Sequence, residues 1–528
     1  MKLHLPTLLQ VLLVTAAPAH LRAQESRPNV LFIAVDDLKP TLGCYGDTIA
    51  KTPNIDRIAA QGTTFLNAHT QQAVCAPSRA SLLTGLRPDT TKVWDLQTRL
   101  RDNLPDVVTL PQFFKQQGYD AVGLGKIFDP RSVDGQVKDD PASWSRPYIK
   151  EQANPDSELG YLNPQTVARI REARAALKGG DDWEKARKAV GDTPPTEGTE
   201  DVPDNAYQDG AFADTAVNLI GELSKADKPF FLAVGFKKPH LPFVAPKKYW
   251  DLYNRADFPL AAHREPVQGA PEIAWQPGWE LRSGYAVPKD GPLPEDLQRE
   301  LLHGYYACTS YIDAQVGRLL DALKANGVAD NTIIVFWGDH GWHLGDHGIW
   351  CKHTNYEQAT RVPLIIADPK FGDKGGKSTS PVEFLDVFPT LVDLAGLPAA
   401  PGLQGASLRP ILADPSAKVK DFAVSQFPRQ NGRQEIMGYA YRDDRYRYVE
   451  WVRSYDSKLG KAGEMVAREL YDYVKDPSEQ RNLIDDPEYQ ETAAKFRETV
   501  AALSPVQGGK SAKTELPEKR KKKASAGE

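Results

Sequence analysis

Asn29-Val-Leu-Phe-Ile-Ala-Val35 runs directly into Asp36-Asp37, and the reading of the whole chain turns on that junction. An unbroken apolar run with no polar alternation predicts a strand buried on both faces. Such strands belong to parallel sheets covered by helices on each side. In open α/β sheets the chemistry gathers where the carboxyl ends of the strands emerge, and the two carboxylates stand there. Adjacent carboxylates repel each other unless a cation sits between them. Alone, an Asp-Asp pair is equally a turn cap.

The same texture continues outward. Phe230 to Phe236 and Thr332 to Trp337 are further buried-strand runs, and Val362 to Ala367 is another. Asn54 to Gln61 predicts a short helix with Ile55, Ile58 and Ala59 on one face. Leu110 to Gln117 predicts a second helix, closed by Gly118, and Phe384 to Leu394 a third. Pro294 to Asn326 predicts a long helix, with Ile312, Val316, Leu319, Leu320 and Leu323 at helical spacing. Strands separated by helices give an α/β fold with a large, mostly parallel central sheet. Asp129 to Pro203, with a charged helical patch around 167–189, and the Pro-rich stretch Asn254 to Pro292 read as surface insertions that would shape a cleft. From about Asp421 the texture changes. Tyr446 to Val452 and Glu469 to Tyr473 read as strands and Pro487 to Leu503 as a terminal helix, a smaller C-terminal α+β subdomain.

Composition removes several classes. The chain has 528 residues, 65 Lys and Arg against 70 Asp and Glu, and a net charge of −5. That balance gives no basic footprint for nucleic acid. With 41% hydrophobic residues it is not a disordered chain, and 4 cysteines cannot form a disulfide scaffold. Cys44, Cys308 and Cys351 could take part in disulfides, with the pairing open. Met1 to Gln24 reads as a secretory signal, with an apolar run from Leu8 to Ala17 followed by small residues. The expectation is an exported protein, periplasmic or secreted, with no stable membrane insertion. The predicted division is a signal at 1–24, a catalytic domain at 25–420, a subdomain at 421–507 and a basic tail at 508–528. In the tail, Lys519-Arg-Lys-Lys-Lys523 is most simply a solvated run.

Three constellations carry chemistry. Cys75-Ala-Pro-Ser-Arg79 with Ala80-Ser-Leu-Leu-Thr84-Gly85 places a sulfur near a helix N-terminus, where free N–H groups favour an anion. Arg79, one turn on, can hold an oxyanion. Asp339-His340 follows another buried strand, beside the first. With Asp36 and Asp37 it makes an oxygen-rich set with one imidazole, suited to Ca²⁺ or Mg²⁺ rather than Zn²⁺. Lys126, His240 and Lys352 are single basic residues placed after strands or close by. With Arg79 they would form a cationic pocket for a small tetrahedral oxyanion.

The Cys75 to Arg79 string with Leu82 to Gly85 resembles the signature of the type I, formylglycine-dependent sulfatases. Val35 to Pro40, Leu42 to Gly46, Gln71 to Cys75, Arg87 to Thr91, Asp339 to Gly345 and Ala359 to Ile365 most resemble the iduronate-2-sulfatase subgroup and its bacterial relatives. The resemblance spans about Asn29 to Leu483. It implies an alkaline-phosphatase-like sandwich, one Ca²⁺ held by Asp36, Asp37, Asp339, His340 and the modified Cys75, and a maturation enzyme that converts Cys75 to formylglycine. It further implies catalytic roles for Arg79, Lys126, His240 and Lys352. His240 would protonate the leaving sugar oxygen, and the two lysines would hold the sulfuryl oxygens. The substrate implied is a sulfated carbohydrate, of iduronate or uronate 2-O-sulfate type. The family's histidine shortly after the first of these lysines is absent. Asp129 stands in its place and would take a proton, contact substrate, or merely open the Asp129-Pro130 turn. Trp94, Asp95 and Lys238 are expected in the pocket wall. The rival readings are another hydrolase of the fold, such as a phosphatase, and a non-catalytic sulfated-glycan binder if Cys75 stays a thiol.

Overall fold

A computed structural model describes residues 27–503, apart from 151–153, 155, 158–159, 178–188, 192, 199, 373–374, 432–433 and 454–463. The predicted signal at 1–24 and basic tail at 508–528 lie outside the described residues.

The run that opens the chain is β1 (Asn29–Val35), buried at every position. Six more strands join it: β2 (Thr63–Phe65), β3 (Asp120–Gly125), β4 (Phe230–Phe236), β5 (Thr332–Gly338), β6 (Leu364–Ala367) and β7 (Gly376–Ser378). Their order is β7-β2-β6-β5-β1-β4-β3. Only β6 runs antiparallel to its neighbours, β5 and β2. No crossover helix spans the sheet between β5 and β6, so the chain returns alongside in the opposite sense. The strand starts at Leu364, two residues later than the sequence suggested, because Pro363 has no N–H to donate to a ladder.

Successive residues of β1 point to opposite sides. Leu31, Ile33 and Val35 enter one apolar core and Val30, Phe32 and Ala34 the other. The first core is closed by α1 (Pro53–Gln61), α4 (Gln208–Leu223) and the long α5 (Glu295–Ala325). The second is closed by α2 (Cys75–Thr84), α3 (Leu110–Gln116) and α6 (Val387–Leu394). Burying each such aliphatic side chain contributes about 1.5–3 kcal/mol. The register then sets the site. Val35 pairs with Phe236 of β4 and with Gly338 of β5, so the three strands end level.

The smaller subdomain is a four-stranded antiparallel sheet, β8 (Ala423–Asn431), β9 (Gln434–Arg442), β10 (Tyr446–Arg453) and β11 (Met465–Asp472), with α7 (Gln490–Leu503). One face packs Trp451 and Tyr471 against Tyr356 and Ile349, and the other packs Tyr448 and Leu470 against Phe496. The β8–β9 hairpin is absent from the sequence reading. Pro428 argues against a strand there, and it is tolerated because β8 is an edge strand. All four cysteines are free thiols. No helix among the described residues is long and apolar enough to cross a membrane.

One contact ties α1 to α5. Thr52, at the N-cap of α1, makes no side-chain cap. The buried Asp313 of α5 does so from outside: its carboxylate accepts from the Ile55 N–H at 2.8 Å and the Asn54 N–H at 3.0 Å. Asp313→Ala should therefore lower unfolding stability by about 1–2 kcal/mol. Burial pushes the Asp313 carboxyl up to about 6, against its backbone hydrogen bonds. A raised carboxyl stabilises the fold below its unfolded value near 4 and loses that contribution as pH rises through the folded value. Urea titrations across pH 4 to 7 should show wild type falling relative to D313N up to about pH 6, then running parallel.

Candidate active site

Because the central strands end level, their next residues converge. The Asp36 N–H donates to the Phe236 carbonyl at 3.1 Å, and the Asp339 N–H donates to the Val35 carbonyl at 3.1 Å. Three carboxylates follow from this: Asp36, Asp37 and Asp339, all essentially without solvent. The Asp37 N–H and the His340 N–H both donate to Asp339 Oδ1, at 2.9 and 3.1 Å. Asp37 has φ 59°, a conformation that costs a non-glycine residue energy.

Such a cluster has to be neutralised. Arg79, fully buried on α2, reaches Asp36 Oδ1 through Nη2 and Asp339 Oδ2 through Nε, both at 2.9 Å. Its Nη1 donates to the carbonyls of Lys126 and Ile127, and its plane lies 5.5 Å from the Trp337 ring centre. Lys126 Nζ sits 2.5 Å from Asp36 Oδ2, and Lys352 Nζ sits 2.7 Å from Asp37 Oδ1 and 5.0 Å over Trp342. Burial alone would raise the Asp36 carboxyl, but Lys126 and Arg79 outweigh it and hold it well below the carboxylate range. Burial likewise opposes charge on Lys352, and Asp37 more than restores it.

Cys75 is the first residue of α2 and is 1% exposed. Its Sγ lies 3.4 Å from His340 Nε2 and 3.8 Å from Lys352 Nζ. Burial, reinforced by Asp36, pushes the thiol far above its ordinary value. His340 Nδ1 donates to the Gly341 carbonyl at 3.0 Å, so Nε2 faces Asp37 Oδ1 at 3.2 Å. Asp37 Oδ2 is buried with no hydrogen-bond partner. Asp37, Cys75 and His340 form one set of donor atoms within 4.8 Å of one another, and Asp36, Cys75 and Asp339 form another. An orphaned carboxylate oxygen amid hard donors and one imidazole suits a divalent cation.

The remaining predicted residues divide. His240 reaches the cluster: Nδ1 donates to the Leu241 carbonyl at 2.7 Å and Nε2 lies 3.9 Å from Asp37 Oδ2. Asp129 is buried beside the pocket, 3.9 Å from Lys126 Nζ. Both of its oxygens are taken by Arg131, at 2.9 and 2.8 Å. Burial alone would raise the carboxyl, but that pairing with Arg131, with help from Lys126, draws it down to about 2. Lys238 turns away, donating to the His240 and Pro242 carbonyls. Asp95 caps the turn at Gln97 and Thr98, and Trp94 Nε1 donates to Asp89 at 2.9 Å.

One residue of the site escaped the sequence reading. Glu280, on the short helix Trp279–Gly284 of the Pro-rich stretch, places Oε1 3.1 Å from His240 Nε2 and Oε2 3.1 Å from Lys352 Nζ. No strand end or motif marks it. The stretch is therefore not wholly a surface insertion, since Gln276, Leu281 and Tyr285 are buried.

Buried acid at the ends of a covered α/β sheet, ringed by fixed cations, can hold an anionic ester, and the solved structures that superpose on the chain share its alkaline-phosphatase-like fold. Residues 28–397 match the sulfatase family and residues 345–505 match the N-sulphoglucosamine sulphohydrolase C-terminal family. The chain is 36% identical over 522 residues to iduronate 2-sulfatase of Homo sapiens, covering 87% of this chain and 91% of that one. It is 32% identical over 465 residues to a sulfatase of Formosa agariphila, covering 86% and 82%. The phosphonate monoester hydrolase of Agrobacterium radiobacter superposes with TM-score 0.68 at 26% identity, over 90% of this chain and 95% of that one. The chain belongs to the sulfatase family, and is a sulfuric ester hydrolase.

Removing one member of a buried ion cluster leaves its partners charged and unpaired. Arg79→Ala should lower unfolding stability by about 3–5 kcal/mol, and Arg79→Lys, which cannot bridge both carboxylates, should fall between. Urea denaturation checks this; Arg79→Ala within about 0.5 kcal/mol of wild type would contradict it.

Proposed function

We propose that the protein is an exported sulfatase that removes a sulfate ester from a sulfated glycan, of iduronate or uronate 2-O-sulfate type. The observation that carries this is Cys75 at the start of α2, 3.4 Å from His340 and 3.8 Å from Lys352, at the focus of the acidic and basic residues. The 36% identity with human iduronate 2-sulfatase supports the substrate class.

In this reading Asp36, Asp37, Asp339, His340 and the oxidised side chain at 75 hold Ca²⁺. The ion offers Lewis acidity toward bound oxygens. Oxidation of Cys75 to formylglycine would supply, when hydrated, one hydroxyl as the nucleophile and a second whose proton loss re-forms the aldehyde and expels sulfate from the first. A buried thiol that stays protonated supplies neither, which supports the need for conversion. The chain's own residues do the rest. Arg79 fixes the carboxylates and the helix start. Lys126 and Lys352 bind the sulfuryl oxygens from two sides. His240 delivers a proton to the leaving oxygen, its Nδ1 held by the Leu241 carbonyl. Asp129, acid enough to stay ionised, stands between Arg131 and Lys126 as a fixed charge rather than moving a proton. The likeness to a phosphonate monoester hydrolase makes phosphorus esters the alternative substrate class.

Two measurements test this together. After expression with a formylglycine-generating enzyme, the peptide containing residue 75 should have sulfur and two hydrogens replaced by one oxygen. That preparation should desulfate 2-O-sulfated uronate disaccharides and leave phosphate and phosphonate esters nearly untouched, and Cys75→Ala should abolish turnover. An unconverted thiol with sulfatase activity intact, or a preference for phosphorus esters, would overturn the reading.

A further inference from the structure

We propose that Glu280 is a positioning residue of the desulfation reaction, which presents His240 to the leaving oxygen and couples it to Lys352. The inference rests on the sulfatase reading and assigns a residue that no motif marks.

The geometry is specific. His240 has two ring nitrogens. Nδ1 faces the Leu241 carbonyl at 2.7 Å, and a carbonyl can only accept, so Nδ1 carries a hydrogen. One such contact leaves the ring free to pivot about that bond. Glu280 Oε1, 3.1 Å from Nε2, supplies the second contact and fixes the ring plane. Nε2 is also the atom that lies 3.9 Å from Asp37 and faces the pocket. The other carboxylate oxygen lies 3.1 Å from Lys352 Nζ. One carboxylate thus sets the spacing between the proton donor and a sulfuryl-binding cation, which come from opposite flanks of the sheet centre.

Glu280 is itself held. Gly278 precedes its helix at φ 79°, and a Cβ there would come within 3.2 Å of Trp350. The Gly278 N–H donates to Gln276 Oε1 at 2.5 Å, and Gln276 Nε2 donates to the Trp350 and Lys352 carbonyls at 3.1 and 2.6 Å. The loop bearing Glu280 is therefore laced to the loop bearing Lys352. The side chains of His240 and Glu280 are 19% and 18% exposed, so the pair stands at the mouth, where a leaving sugar would depart. Burial alone would raise the Glu280 carboxyl, but Lys352, with help from the neighbouring His240, holds it well below the carboxylate range.

A general acid matters most where the departing group is poor. A sugar alkoxide needs the proton, whereas 4-nitrophenolate leaves without it. The matured full-length enzyme and its E280Q, E280A, H240A and H240A/E280A variants should be assayed on a sulfated disaccharide and on 4-nitrophenyl sulfate. Thermal unfolding verifies that each variant is folded. The expected result is a loss of about 10²-fold in kcat/KM for E280A on the sugar ester, under about 10-fold on the aryl ester. E280Q, which can still accept from Nε2, should recover part of the loss. The double variant should be no worse than H240A alone on the sugar ester. Equal losses on both esters, or additive losses in the double variant, would overturn the inference. If wild type hydrolyses neither ester, the sulfatase reading fails instead, so the two failures are distinct.

Discussion

Three carboxylates buried where adjacent strands end is the constraint on which the rest of this structure depends. Water cannot solvate Asp36, Asp37 and Asp339, and mutual repulsion at such range is severe in a low-dielectric interior. The fold answers with Arg79, Lys126 and Lys352, each brought in by a different element. The register of β1 against β4 and β5 creates the difficulty, and α2 supplies much of the remedy. Fold and chemistry are thus one problem. A site able to hold an anionic ester needs fixed positive charge, and fixed positive charge in the interior needs buried acid to hold it.

The second sheet has a share in this. Arg429 of β8 donates to the His353 carbonyl at 2.6 Å and the Ile273 carbonyl at 2.7 Å. Arg447 of β10 donates to the Asn355 carbonyl and pairs with Glu479, while Arg442 pairs with Glu357 at 3.1 Å. Asn355 Nδ2 in turn donates to the Gly438 carbonyl at 3.0 Å, where a Cβ would collide with Trp451. These contacts clamp the segment that follows Lys352. They matter because Cys351 and His353 hold φ 73° and 72°, a backbone that persists only when its surroundings enforce it. The smaller subdomain is in that sense part of the site's frame.

Much of this was legible in the chain itself. Long apolar runs identified β1, β4 and β5, and helical periodicity identified α5 with nearly its full length, because both signals are local. The carboxylates after β1 and β5 were legible for the same reason: a strand end places its next residue. Cys75 and Arg79 came from a contiguous string. Glu280 was not legible, since its role comes from a tertiary contact between an irregular loop and two others, with no period to reveal it. The β8–β9 hairpin hid behind its polar composition and behind Pro428, which β8 tolerates as an edge strand. The antiparallel sense of β6 was equally hidden, because strand direction depends on the path of a connection. Lys238 illustrates the converse: a lysine near the site by sequence spends its charge on loop carbonyls.

The central claim is that the buried carboxylate cluster is a cation site completed by Asp37, whose Oδ2 has no hydrogen-bond partner. The most direct measurement is thermal unfolding of the full chain in chelator and across rising free Ca²⁺, for wild type and D37N. Binding to the folded state alone adds about 2.7 kcal/mol at a hundredfold excess over Kd. The account predicts a wild-type Tm that climbs with Ca²⁺ and a D37N Tm that does not. A wild-type Tm indifferent to Ca²⁺, or the same climb in D37N, would contradict it.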